Sequence, residues 1–224
     1  AGVGAGGGVT GFGGTSASTM DGSSAIQFAD AVEITANGRG NIQIGSVNQW
    51  QSNQLTHLGT GGVINGAGIQ STLESNLSNA VDIGSNVSLI APGGEIGIGT
   101  SSNSVTTSNA DSYTFGLAGG SSSDSSNNMT SKQTLTIGNS SVLHAGRDIV
   151  ITTGYDPRTK TESLLDAYAI VTARCAGLLE IPGTTADAVL NADNTLSIGT
   201  GTIISHGDIE IGALPGINTA SWYT

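Results

Sequence analysis

The stretch QTLTIGNSSVLHAGRDIVIT, residues 133–152, decides the fold class. It reads as three very short strands. Leu135 and Ile137 alternate with polar neighbours, then Leu143 and Ala145, then Ile149 and Ile151. Gly138-Asn139 and Gly146-Arg147-Asp148 punctuate the gaps. Alternation with a period of two, broken by Gly and Asn, marks half-buried strands joined by tight corners.

The same pattern occurs three more times. Residues 24–45 carry one copy, NAVDIGSNVSLIAPGGEIGIG at 79–99 a second, and NTLSIGTGTIISHGDIEIG at 194–212 the fourth. Aligned, the first inward residues are Ile26, Val81, Leu135 and Leu196, followed by Phe28, Ile83, Ile137 and Ile198. Six positions on stand Ile34, Leu89, Leu143 and Ile204. The last strand carries Ile42 and Ile44, Ile96 and Ile98, Ile149 and Ile151, Ile209 and Ile211. Successive copies are 55, 54 and 61 residues apart. Only the corner before the last strand changes length, as a surface loop tolerates.

Between the copies lie Gly- and Ser-rich spacers such as THLGTGGVINGAGIQST and SYTFGLAGGSSSDSSNN. Glycine there lets backbone approach backbone. The fourth spacer, around TESLLDAYAIVTARCAG, has the apolar content of a helix. Its β-branched Ile170, Val171 and Thr172, and its place in the repeat, predict a strand. One repeat cannot bury its own apolar face, whereas stacked repeats place Ile over Ile. An all-β solenoid of parallel strands is therefore expected, with a β-sandwich as the structural alternative. A period of ~55 residues is read as two coils, one Ile-rich and one Gly-rich. That makes about eight coils in four repeats, about 40 Å long at ~4.8 Å per rung. The whole of 1–224 is expected to be one solenoid segment, with repeats at roughly 1–50, 51–104, 105–157 and 158–216 and a tail at 217–224.

Composition narrows the function. The 224 residues include 35 glycines, 17 acidic residues against six Lys and Arg, and a formal net charge of −11. No basic cluster offers nucleic acid a footprint. An anionic membrane is equally disfavoured, and no apolar run approaches the ~18 residues of a membrane span. Cys175 is the only cysteine, which excludes an internal disulfide and a four-cysteine metal site. With no initiator Met and no signal peptide at Ala1, the chain is expected to be mature or a fragment.

The block x-L-x-I-G-x-x-x-x-L-x-A-G-x-D-I-x-I, best seen in TLTIGNSSVLHAGRDIVIT and TLSIGTGTIISHGDIEIG, resembles the repeats of large bacterial exoproteins of the filamentous haemagglutinin and leukotoxin-type filamentous adhesin class. The spacer GAGGGVTGFGGTSAST is similar to theirs. The resemblance spans nearly the whole chain at the level of the repeat. It implies a right-handed parallel β-helix, export across the outer membrane to the bacterial cell surface, and a fibrous adhesive role. No match to the N-terminal secretion domain of that class is present, so a middle segment is expected.

Candidate chemistry is sparse. Gly2 to Gly7 satisfy G-x-G-x-x-G, but a dinucleotide site needs a strand before and a helix after. A Gly-rich coil is the simpler reading. His144 and His206 fall beside equivalent corners, and with Asp148 or Asp208 could approach a metal; corner residues bonding local backbone explain them as well. His57 stands apart. Arg147, Asp148, Asp156 and Arg158 are the only set that could serve a β-helix polysaccharide lyase or hydrolase, while Tyr155-Asp156-Pro157-Arg158 also reads as a turn. Asn76, Asn86, Asn128 and Asn139 open N-x-S/T sequons at about the chance frequency. Trp222 and Tyr223 could stack on a sugar, on another subunit, or cap the last coil. No catalytic residue, metal ligand or cofactor is assigned. The expected function is structural and adhesive, with a host or neighbouring-cell surface, glycans included, as partner. A self-assembling filament or sheath subunit, stacking end to end, is the alternative.

Overall fold

A computed structural model describes the backbone of residues 2–224 and the side chains of residues 8–224. The strands are β1 (Gly2–Phe28), β2 (Glu33–Thr35), β3 (Ile42–Ile83), β4 (Ser88–Ala91), β5 (Ile96–Ile137), β6 (Ser141–Ala145) and β7 (Ile149–Thr153). They continue with β8 (Tyr155–Asp156), β9 (Thr161–Glu162), β10 (Leu164–Ala176), β11 (Leu179–Ile198), β12 (Gly201–Ser205), β13 (Ile209–Ala213) and β14 (Ile217–Tyr223). No helix occurs among the described residues. Every ladder is parallel except the two-residue hairpin β8–β9.

Register defines the coil. Ile26 pairs with Val81, Val81 with Leu135, and Leu135 with Leu196. The spacers obey the same step: Gly11 pairs with Gly66, and Gly66 with Gly120. Strand therefore pairs with strand one whole repeat away. Among the described residues no ladder joins segments half a repeat apart. This corrects the expectation of two coils per repeat and eight in all: the Ile-rich block and the Gly-rich spacer are parts of the same turn. It also corrects the length. The return wall is four rungs deep (β1, β3, β5, β11), about 14 Å from first strand to last at ~4.8 Å per step, not 40 Å.

Each turn is a flattened loop. In β5 the chain runs outward over 96–115, reverses at 116–120, and returns over 121–137. The two arms meet through side chains rather than backbone. Ser112 Oγ lies 2.5 Å from Ser121 Oγ and 2.7 Å from Ser123 Oγ, Ser125 Oγ donates to the Ser108 carbonyl at 2.8 Å, and Asn127 Nδ2 donates to the Thr106 carbonyl at 2.9 Å. Beyond the return arm, β2, β4, β6 and β12 form a separate four-stranded sheet that closes the base of the loop.

The apolar core sits at that base, where three walls converge. Ile83, Leu89, Ile96, Ile98, Leu135, Leu143, Ile149 and Ile151 are fully buried there. The alternation of the short strands is this core read as sequence. Ile203, not Ile204, stacks on Leu143. The ladder step falls from 61 residues at Ile198–Ile137 to 60 at Ile203–Leu143, so Ile204 turns outward and is 45% exposed. Two smaller apolar clusters, Leu77–Met129–Leu165 and Leu58–Ile69–Val171, punctuate the arms, and buried Ser, Thr and Asn fill the space between.

The fourth spacer is a strand, β10, as its β-branched residues require. Its repeat is longer because residues 154–163 leave the wall. Thr100 pairs with Thr153, while Asn103 pairs with Leu164.

Candidate functional site

The 154–163 excursion folds back over the outer face of the outward wall and encloses a cleft of about 220 Å³. Its neck is pinned from inside. The Gln133 amide, fully buried, accepts the Gly154 N–H at 3.3 Å and donates to Ser163 Oγ at 3.1 Å. Its tip is held by Asp156, whose carboxylate takes Arg158 Nε at 3.0 Å, Arg158 Nη2 at 3.1 Å and the Arg158 backbone N–H at 3.0 Å. Glycines give it room. A Cβ on Gly99 would lie 2.5 Å from Pro157 Cδ, and one on Gly45 2.9 Å from Arg158 Nε.

Glu95, Asp148, Asp208, Glu210, Lys160 and Tyr155 are among the cleft's lining. Burial, with the nearby Glu210 carboxylate second, pushes the Tyr155 hydroxyl above its ordinary value. Burial also pushes the Asp156 carboxyl up, but the Arg158 hydrogen bonds and charge outweigh it, leaving it below the usual carboxylate range. Asp156 is thus committed to Arg158 and does not line the cleft that Asp148 lines. Arg147 is engaged by Glu95 at 2.8 Å. Asp148 Oδ1 accepts the Asp208 backbone N–H at 3.0 Å, a corner-to-corner bond between coils. The four residues singled out in sequence therefore fall into separate structural pairs.

The histidines resolve into two places. His144 and His206 are brought together, ring centroids 5.9 Å apart and edge-on. His57 Nδ1 lies 3.0 Å from Asp111 Oδ2 one coil away, beside Tyr113. No group of three or more His, Cys, Asp or Glu side chains is placed to hold a metal among the described residues. Gly2–Gly7 begin β1, pairing with His57–Gly62, so that glycine motif is strand rather than phosphate loop. Tyr223 pairs with Ile170 and Trp222 with Ala169 on the terminal strand. Asn76, Asn86 and Asn139 are exposed and Asn128 is half-buried.

The surface that sequence reasoning missed lies at the reversal of each coil. Val9, Ile64, Ala118 and Leu179 form one column there. Val63 and Leu117 flank it, with Leu178 donating its N–H to the Leu117 carbonyl at 3.0 Å. These side chains face solvent: Val9 is 77% exposed, Phe115 69% and Leu178 80%. A tight reversal has no inward direction left for them, yet the positions hold Val, Ile, Leu and Phe where turns ordinarily carry polar residues. Beside this ridge runs an open trough of about 620 Å³ floored by Gly11, Gly66, Gly68 and Gly120 and bounded by Phe12 and Ile181. A Cβ on Gly11 or Gly68 would meet nothing within 4 Å, so the floor is bare backbone facing outward. The signal in sequence was the recurrence of Val63-Ile64, Phe115, Leu117 and Leu178-Leu179 inside otherwise Gly-rich spacers.

Among the described residues, no helix is long and apolar enough to cross a membrane. Comparison of the chain with protein-family models, with curated proteins and with solved structures finds no match in any of the three.

Proposed function

We propose that this chain is an adhesive structural segment of a secreted bacterial surface exoprotein, wound as a right-handed parallel β-helix. The observation that carries the reading is the apolar ridge at the coil reversals, renewed at each of four coils. A contiguous exposed apolar patch rimmed by polar surface marks a contact site. Repetition at coil spacing suits many weak contacts, whose avidity exceeds any one of them. The partner is a host or neighbouring-cell surface, engaged by Phe115 and the leucines of the ridge, with the Gly-floored trough open to a flat sugar face. Export across the outer membrane goes with this reading. The cleft under residues 154–163 favours an enzyme less, because Asp148 and Asp156 do not share it.

The test is adhesion of chain-coated beads to cell monolayers, comparing the native chain with Leu117→Ser/Leu178→Ser/Leu179→Ser. Adhesion should fall at least about tenfold, which is 1.4 kcal/mol, with the thermal transition unchanged. Undiminished adhesion of the folded variant would remove the ridge as the contact surface.

A further inference from the structure

We infer that the cleft beneath residues 154–163 receives a guanidinium group, the arginine side chain of a partner protein, at a site separate from the adhesive ridge. Its volume of about 220 Å³ falls below the ~300–1,000 Å³ of a site for a drug-sized ligand and suits one long side chain. Four carboxylates line it, Glu95, Asp148, Asp208 and Glu210, against one cation, Lys160. Glu95 is already engaged by Arg147. Among the described residues, no cation pairs with Asp148, Asp208 or Glu210. The cleft therefore carries negative charge in excess, beneath a roof that keeps part of it from water.

A second feature, independent of that charge, is a buried polar group with nothing to bond. Ile149 and Ile151 point into the base core, so Val150 and Thr152 point the other way, under the excursion. Val150 lines the cleft. Thr152, two residues further in on the same face, is 0% exposed, and its hydroxyl has no partner. Buried polar side chains are ordinarily hydrogen-bonded. An N–H carried by an occupant at the inner end of the cleft gives this hydroxyl oxygen its missing donor.

The walls select the kind of cation. No three His, Cys, Asp or Glu side chains converge on a metal among the described residues. Tyr155 and Pro157 roof the cleft, and Val150 and Gly97 lie across from them. Gly97 keeps the floor clear: a Cβ there would come within 2.9 Å of Pro157 Cβ. An aromatic ring, apolar walls and several carboxylates suit a group that is flat, charged and forked. A guanidinium stacks on aromatic faces and binds carboxylates through two N–H groups, whereas an ammonium is a compact, strongly hydrated point charge. The chain's own arginines show the same chemistry beside the cleft. Arg147 holds Glu95, and Arg158 holds Asp156 through two parallel bonds. A net charge of −11 draws a basic partner toward the site.

The experiment follows the backbone amide spectrum of the 224-residue chain during titration at low salt. The probes are N-acetyl-arginine methylamide, its neutral isostere N-acetyl-citrulline methylamide, and N-acetyl-lysine methylamide. The arginine probe should give saturable shifts at the Gly97, Val150, Thr152 and Tyr155 amides. The other two should bind at least about tenfold more weakly. Asp148→Asn with Glu210→Gln should weaken the arginine probe by at least about tenfold. The new amide at position 148 still offers an oxygen to the Asp208 N–H, so the corner bond is kept. Glu210→Gln alone, at an exposed position, serves if the pair disturbs that corner. Thr152→Val should weaken binding without lowering the melting temperature. Glu74→Gln with Asp82→Asn removes the same charge from the exposed return wall and should leave binding unchanged. Equal loss in the two double variants, or shifts spread equally to Asp124 and Asp187, would show bulk charge at work and overturn the site. So would the absence of saturation. Equal binding of the citrulline or lysine probe would overturn the guanidinium assignment.

Discussion

Ile137 is 2% exposed within the base core, between Ile83 and Ile198. Replacing it with Asp buries an unpaired charge and should unfold the coils that share it. Ile137→Ala should cost about 2–5 kcal/mol. Ser140→Asp, at an exposed corner, should stay within about 0.5 kcal/mol. Equal melting temperatures for the two Asp variants would refute the inward and outward assignment. The same corner carries a local strain. Ala31, Asn86 and Ser140 share a column, each with φ near +60°. Asn tolerates that conformation; Ala pays about 1–2 kcal/mol. Ala31→Gly should therefore stabilise the chain, and a lowered melting temperature would contradict it. Such corners were legible in sequence only as Gly/Asn punctuation. The single-residue shift that places Ile203 rather than Ile204 inside was not, because nothing local marks where a turn drops one residue.

At the scale of elements, short strands were easier to read than long ones. The base strands bury one face against an apolar core, so their alternation is visible in Ile and Leu. The arms bury Ser108, Ser112, Ser123, Thr106 and Asn127, which face each other and bond across the gap. Their alternation is polar against polar, and hydropathy does not register it. The 154–163 excursion was legible only as a turn, since its anchors, Gln133, Gly45 and Gly99, lie far away in sequence. It yields two expectations. Gly99→Val should lift the loop without melting the coils, read as faster tryptic cleavage after Arg158 and Lys160 at unchanged melting temperature. Undiminished resistance would show that Pro157 does not rest there. The second concerns acid. Asp156 titrates below its ordinary value of ~3.9. Its stabilisation is therefore complete above that value and lost as pH falls through the lower folded value. Hydrogen exchange at the Lys160 and Ser163 amides, corrected for intrinsic rate, should accelerate below about pH 4 in the native chain. In Asp156→Asn that pH dependence should vanish; its persistence would assign the titration elsewhere.

On the scale of the molecule, four coils spanning about 14 Å carry arms of some twenty residues, about 66 Å long. The described residues are broader across the coil than deep along the stacking axis. A solenoid with such a coil gains length only by adding coils. The four-fold repeat was plain in sequence. The turn it corresponds to was not, because a spacer that pairs one full repeat away looks, in sequence, like a coil of its own.

The claim on which the rest depends is that one repeat makes one rung. Thr15, Gln70, Asp124 and Thr185 form a single column of three steps. Spin labels at Thr15→Cys and Thr185→Cys, in a Cys175→Ser chain diluted with unlabelled protein, should give a dipolar distance of about 14 Å between backbone sites. A distance near 29 Å, the six steps of a half-repeat coil, would contradict it.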